Sequence, residues 1–195
     1  MARTASTGFF LRGSLYGIEP AGSRDYVIAN SATIKIADAV SMNEAGFVRR
    51  SAAGEAILGV CNGLVDRNGL NLNTPQASGL TGSTLTPDDT IAVSATNQSD
   101  ATREIKAQVM LDPAGVLLWY NDADADLAAT NRLQFYDNNS TGNQITCSTN
   151  LDTNGQWQLI QLDPDGDADL SKGLFRIAES QFGGIIDSGT DKIPA

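Results

Sequence analysis

The chain contains no histidine. That removes the commonest general base and the commonest metal ligand, and with them Ser-His-Asp and Cys-His catalysis. Cysteine is scarce as well: Cys61 and Cys147 are the only two. Two thiols so far apart form neither a CxxC redox motif nor a zinc cluster. Cys61 sits in the apolar run Ile57-Leu58-Gly59-Val60-Cys61 and reads as a buried free thiol. Whether it pairs with Cys147 is open at this level, because pairing is a matter of geometry. So few cysteines fit a protein made and kept in a reducing cytoplasm.

Aromatic residues make up only 6% of the chain and do not interleave with basic ones, which argues against a stacking platform for single-stranded nucleic acid. No apolar run approaches membrane-spanning length. Residues 1–6 are polar and Phe9-Phe10-Leu11 is too short for the apolar part of a secretion leader, so the expectation is synthesis in the cytoplasm with no membrane partner. The Gly-rich stretch 79–83 lacks the phosphate-binding lysine, and no GxGxxG spacing occurs. No internal repeat and no heptad pattern is present.

What the 195 residues do contain is turn chemistry: 19 glycines with many Ser, Thr, Asn and Asp, and a hydrophobic content of 41%. That mixture favours short strands over long helices. Net charge is −10, unevenly spread: residues 1–98 carry 7 basic and 8 acidic side chains, residues 99–195 carry 6 and 15. The acidic half argues against a nucleic-acid partner and fits an exposed, soluble outer face.

Strand patterns fall at residues 25–29, 32–36, 38–42, 47–50, 57–65, 70–73, 90–94, 105–111, 116–120, 133–136, 144–147, 157–162 and 174–178. Turn signals separate them at 43–46, 66–69, 112–115, 137–142 and 152–155. Gly59 and Gly63 inside one strand mark a bulge or bend. Residues 74–89 read as a long surface loop. Residues 122–130 are the one helix candidate, with Asp122 as cap and acids in the first turn. This spacing predicts an all-β protein: a β-barrel or sandwich-like body of short antiparallel strands over residues 25–195, with a soft boundary near 120–130. Trp119 and Trp157 fall in strand patterns and are expected in its core.

Residues 1–24 are different. They hold Gly8, Gly13, Gly17, Pro20 and Gly22 among large apolar residues and show no clean period, which reads as an extended N-terminal arm. Its candidate partner-binding residues are Phe9, Phe10, Leu11, Leu15, Tyr16 and Ile18. Arg3, Arg12 and Arg24 face only Glu19, so the arm is weakly basic and suited to an acidic neighbour. The rival is that it folds back on its own body.

Two acidic groups invite a site. Asp163, Asp165, Asp167 and Asp169 alternate as oxygen ligands for calcium would, but counting from Asp163 the sixth position is Ala168 and the twelfth Leu174, where an EF-hand loop needs Gly and Glu. The run reads as an exposed hairpin loop, with no metal and no cofactor expected. Asp122, Asp124 and Asp126 are accounted for by the helix dipole rather than by acid-pair hydrolysis. Glu55 and Glu104 sit beside turns without a visible partner. No catalytic residue is named.

One stretch of strand grammar has a counterpart. Ala32-Thr33-Ile34-Lys35-Ile36-Ala37-Asp38-Ala39-Val40 is similar to an opening in which a strand leads into a Gly-Asp-x-Val step, with Ala37 in place of the glycine. Residues 47–50, 54–60 and 63–66 resemble its continuation, and residues 157–162, an acidic loop and 173–177 resemble a closing hairpin. Together they resemble tailed-phage virion proteins that decorate or cement capsids or form head fibres. That resemblance implies a non-enzymatic virion protein, made in the host cytoplasm and bound to the major capsid protein on the capsid surface. It also implies a homo-oligomer, with a trimer favoured over a dimer. Two alternatives stand beside it. A carbohydrate-binding or tail-fibre module calls for exposed aromatic platforms, and an acid-pair hydrolase calls for two facing carboxylates.

Overall fold

The computed structural model of the chain describes residues 8–17, 22–72, 91–93, 96–99, 104–139, 143–151, 155–162 and 171–182. Thirteen strands run through them: β1 Phe10–Ser14, β2 Ser23–Val27, β3 Thr33–Ile34, β4 Ala39–Met42, β5 Val48–Arg50, β6 Gly59–Asp66, β7 Ile91–Ala92, β8 Ile105–Leu111, β9 Leu117–Asp122, β10 Phe135–Asn138, β11 Ile145–Leu151, β12 Trp157–Leu162 and β13 Lys172–Ile177. They form a six-stranded sheet in the order β1-β9-β13-β12-β10-β11 and a five-stranded sheet in the order β2-β8-β6-β4-β5, with β3 and β7 as a small third pair. Every pairing between named strands is antiparallel. The two large sheets pack face to face, so the body is a sandwich.

Two cores follow from strand alternation. In β4, Ala39 joins the core between the sheets and the next residue, Val40, joins a second core on the far side of the five-stranded sheet. In β6, Val60 and Cys61 divide the same way. Strict alternation would then turn Leu64 away from Cys61. A register shift between Cys61 and Gly63 inserts one residue, leaves Asn62 exposed, and returns Leu64 to the second core. This is the bulge the glycines announced. Gly59 has a separate reason: a Cβ there would lie 2.2 Å from the Met110 carbonyl oxygen. The second core is covered by Ile28, Ile34, Leu72 and Val93. Ile28, just past β2, bridges to Val48 of β5, and Ala29 N–H donates to the Val48 carbonyl at 2.8 Å. The chain leaving one edge of the five-stranded sheet thus reaches the other edge.

The first core holds Trp119, Trp157, Tyr136, Phe175 and Phe9. The Phe9 ring stacks on Trp157 with centroids 4.0 Å apart and planes 5° from parallel. Residues 8–17 therefore do what the rival reading proposed: they fold back on the body. Phe9 N–H donates to the Ala37 carbonyl at 2.8 Å, Asn121 Nδ2 donates to the Gly8 carbonyl at 2.9 Å, and β1 adds itself to β9. Ser23 and Arg24, the last residues of the expected arm, already belong to β2; residues 1–7 and 18–21 of it lie outside the described residues, as does the expected loop at 74–89.

The expected helix over 122–130 is corrected. β9 runs on to Asp122, whose backbone pairs with Lys172, and only Ala129–Asn131 makes a single 3-10 turn. The Asp122 carboxylate accepts the Ser171 hydroxyl, and Asp124 Oδ1 accepts the Cys147 N–H at 2.8 Å. Sheet pairing took the groups that a helix would have used. Of the alternating stretch 70–73, the described residues 70–72 make one bridge, Val65 to Asn71, with Leu72 buried and Leu70 half exposed.

Truncation of a fully buried aromatic in a packed core costs about 3–5 kcal/mol. Phe9→Ala is expected to lose that much in equilibrium denaturation, whereas Tyr16→Ala, at a position 73% exposed, stays within about 0.5 kcal/mol. Equal small losses at both positions would contradict the placement of Phe9 in the core.

Candidate functional site

The six partner-binding candidates separate by the face they occupy. Phe9 is core, and Leu11 packs against that core from β1. Phe10 pairs in register with Tyr120 and is half-buried. Leu15 is half-buried, its N–H bonded to the Val116 carbonyl at 2.8 Å. Tyr16 is the most exposed large apolar residue described. Ile18 lies outside the described residues. Between β1 and the five-stranded sheet is a small cleft of about 70 Å³, lined by Phe10, Leu11, Ile36, Val60, Met110 and Trp119 among others. Its lining is apolar apart from Asn62 and holds no titratable group except the buried Cys61 thiol.

The step that carries the resemblance, Ala37-Asp38, is built around a buried carboxylate. Asp38 has no solvent exposure. Its Oδ2 accepts the Lys35 N–H at 2.7 Å and the Arg50 Nε–H, while Oδ1 has no partner. Asp38 and Cys61 are tied through the backbone: Cys61 N–H donates to the Asp38 carbonyl, and Ala37 N–H to the Cys61 carbonyl. Burial pushes the Asp38 carboxyl up to about 6, against the opposing pull of Arg50 and Lys35. Ala37 takes φ of +68°, the left-handed region where glycine costs least. Its place as a stand-in for glycine thus has a conformational meaning.

The other acids are engaged locally. Glu55 accepts Arg49 and the Ser41 hydroxyl, and Glu104 lies 3.2 Å from the Lys106 ammonium. Asp122 and Asp124 bond as described above and do not face one another across a cleft; Asp126 is exposed. Among the described residues no three Asp, Glu or Cys side chains converge as metal ligands would. The acidic run 163–169 lies outside them. Both thiols are free. Burial pushes Cys61 up to about 12 and Cys147 up to about 11, so neither is a thiolate at neutral pH.

Sequence reading missed the partners that matter most: Arg50 under Asp38, Gln156 and Leu133. Gln156 is fully buried and bonds Ser51 Oγ, the Ala52 and Glu55 carbonyls and the Asn138 N–H. Leu133 is 62% exposed at φ of +67°. No local signal marks either one, since each is defined by strands distant in sequence.

Two outcomes follow. Ala37→Gly is expected to stabilise the protein by about 1 kcal/mol by relieving the left-handed strain; a lower melting temperature would refute the strain. The folded chain holds the Asp38 proton more tightly than the unfolded chain, so this carboxyl contributes stability that is complete below its ordinary 3.8 and lost as pH rises through about 6. Above that window Arg50 compensates the buried charge. Arg50→Gln is expected to cost about 3 kcal/mol at pH 8 and much less at pH 4.5, where Asp38 is protonated. Denaturation at both pH values checks this, and equal losses would remove the carboxylate from the explanation.

No family model, no curated protein and no solved structure matches the chain.

Proposed function

We propose that the chain is a non-enzymatic accessory protein of a tailed-phage capsid, of the decoration or cement kind, that binds the assembled shell and stabilises it. The observation that carries this reading is how the resembling segments sit in the fold. The opening, residues 32–66, forms β3 to β6 in and beside the five-stranded sheet. The closing hairpin, residues 157–177, forms β12 and β13 in the six-stranded sheet. The two meet in one core, where Ala39, Ile57 and Val60 pack with Trp157, Leu159, Phe175 and Ile177. The resembling segments thus lie in both large sheets and share one core.

The buried polar groups among the described residues fit a structural role: Asp38, Gln156, Asn121 and Asn138 tie loops and strands to one another. The N-terminal segment remains the proposed grip on the shell, now through its exposed Tyr16, with Phe9 and Leu11 holding it to the body. Whether the bound form is a trimer, as the resemblance implies, is settled by the stoichiometry of binding.

A ligand that binds only the assembled state stabilises it by mass action, by about 2.7 kcal/mol per site at a hundredfold excess over Kd. Purified protein added to shells of the encoding phage, stripped of accessory proteins, is therefore expected to co-sediment to saturation and to raise their dissociation temperature. Shells that neither bind the protein nor change their melting overturn the reading.

A further inference from the structure

Asparagine is a thermolabile residue, and most of all before glycine. The main-chain nitrogen that follows can close a ring onto the side-chain amide, and glycine has no side chain to shield that nitrogen or restrict its backbone. The chain holds three such pairs: Asn62-Gly63, Asn68-Gly69 and Asn154-Gly155. Asn154 lies outside the described residues. The sequence does not rank the other two, but the fold separates them.

Asn62 is exposed at the bulge of β6, but Gly63 is buried and paired with Gln108 of β8. β6 is the central strand of its sheet, between β8 and β4. Freeing the Gly63 nitrogen means opening the middle of that sheet, which costs a large share of the global stability.

Asn68 lies in the turn that closes β6. Both Asn68 and Gly69 are exposed. The Gly69 N–H donates to the Asp66 carbonyl at 3.0 Å, and the Asp66 N–H donates to the Leu70 carbonyl at 3.0 Å. Asp66 Oδ1 accepts the Asn68 and Leu70 N–H groups, both at 2.8 Å. Gly69 takes φ of +80°, and no atom lies within 4 Å of where its Cβ would be. The bond that holds the Gly69 nitrogen is therefore a solvent-exposed turn bond, which opens at little cost, and the space beside it is clear.

We propose that Asn68 is a site of spontaneous deamidation, with water as the only co-reactant. The Gly69 nitrogen attacks Asn68 Cγ. A new C–N bond forms there, the Cγ–Nδ2 bond breaks, and ammonia leaves with the proton given up by the Gly69 N–H. Water then opens the cyclic imide. Breaking the bond from nitrogen to Cγ leaves an aspartate; breaking the bond from nitrogen to the main-chain carbonyl carbon leaves an isoaspartate. The product alters what the turn holds. Asn68 Nδ2 is a donor 3.4 Å from Asp66 Oδ2, and an aspartate sets a second carboxylate against that oxygen. An isoaspartate also adds a carbon to the main chain inside the turn, which spoils the spacing of the Asp66–Leu70 bonds. The segment beyond the turn runs back along β6: Asn71 bridges to Val65, the Leu72 N–H donates to the Leu64 carbonyl at 2.8 Å, and the Leu72 side chain covers the second core. Deamidation loosens that cover.

The full chain is incubated at mildly alkaline pH, folded and in denaturant, and its peptides are mapped by mass spectrometry. In the folded chain Asn68 is expected to convert to aspartate and isoaspartate, with Asn62 roughly ten-fold or more slower. In denaturant the two are expected to react alike. Equal rates in the folded chain, or an Asn68 that converts only in denaturant, overturn the site. Asn68→Asp is expected to melt about 2–4 °C below the unaltered chain. Asn68→Gln, whose longer side chain does not close the same ring, is expected to hold its melting temperature through an incubation that lowers that of the unaltered chain. An Asn68→Asp chain that melts with the unaltered one, or an Asn68→Gln chain that loses stability at the same pace, overturns the effect on the second core.

Discussion

A primary amide buried away from water must set two N–H groups and a carbonyl oxygen against protein partners, or lose about 1–3 kcal/mol for each group left bare. Gln156 meets that demand by reaching from the six-stranded sheet into the loop that follows β5. Its Nε2 donates to Ser51 Oγ at 2.9 Å and to the Ala52 carbonyl at 2.8 Å, while its Oε1 accepts the Asn138 N–H at 2.8 Å. Its own carbonyl accepts the Ala178 N–H at 2.8 Å. One residue therefore fixes the approach of the two sheets at one end of the sandwich. The neighbouring contacts depend on that approach: the Ile57–Ser180 bridge, and the Gln181 amide that bonds both the N–H and the carbonyl of Met42.

Aromatic packing continues the same joint. Trp157 follows Gln156 in the chain, and its ring is the floor on which Phe9 stacks. Its indole N–H donates to Asn138 Oδ1 at 2.6 Å, so the strand entering the core is held by polar bonds on one side and by ring contact on the other. Stacked pairs contribute about 0.5–1.5 kcal/mol beyond the area they bury. The result is a rigid six-stranded sheet. Only on such a support is an exposed leucine kept at positive φ, because the strain at one residue is outweighed by the many bonds that position β12.

The five-stranded sheet accepts its own cost at Ala37 and Asp38. A carboxylate without solvent exposure beside a left-handed alanine is unfavourable locally. It persists because the Lys35 N–H and Arg50 converge on one oxygen and because the Phe9 N–H and Cys61 claim the neighbouring backbone. The buried acid thus acts as a clasp between β4, β5 and β6, and Phe9, just before β1, bonds the carbonyl of the preceding Ala37.

Much of this was legible in the chain itself. The strand patterns at 105–111 and 157–162 coincide with β8 and β12, because hydrophobic alternation bounded by Asp-Pro-Ala-Gly or by Gly and acidic turns is a local signal. The interior glycines foretold the bulge in β6, and the run around Cys61 foretold its burial. The helix expected at 122–130 did not form, because hydrogen bonds to Lys172, Ser171 and Cys147, all distant in sequence, replaced the cap and dipole. Phe9 and Tyr16 looked alike in a glycine-rich segment, yet the stack on Trp157 buries one and leaves the other in water. Composition and periodicity by themselves determined an all-β chain with turn-bounded strands and no histidine chemistry. Which residues face the core, which carboxylate is buried and which leucine is held outward depended on contacts between separate strands, from Asp38 with Arg50 to Gln156 with Ser51 and Phe9 with Trp157, and only the tertiary structure decided them.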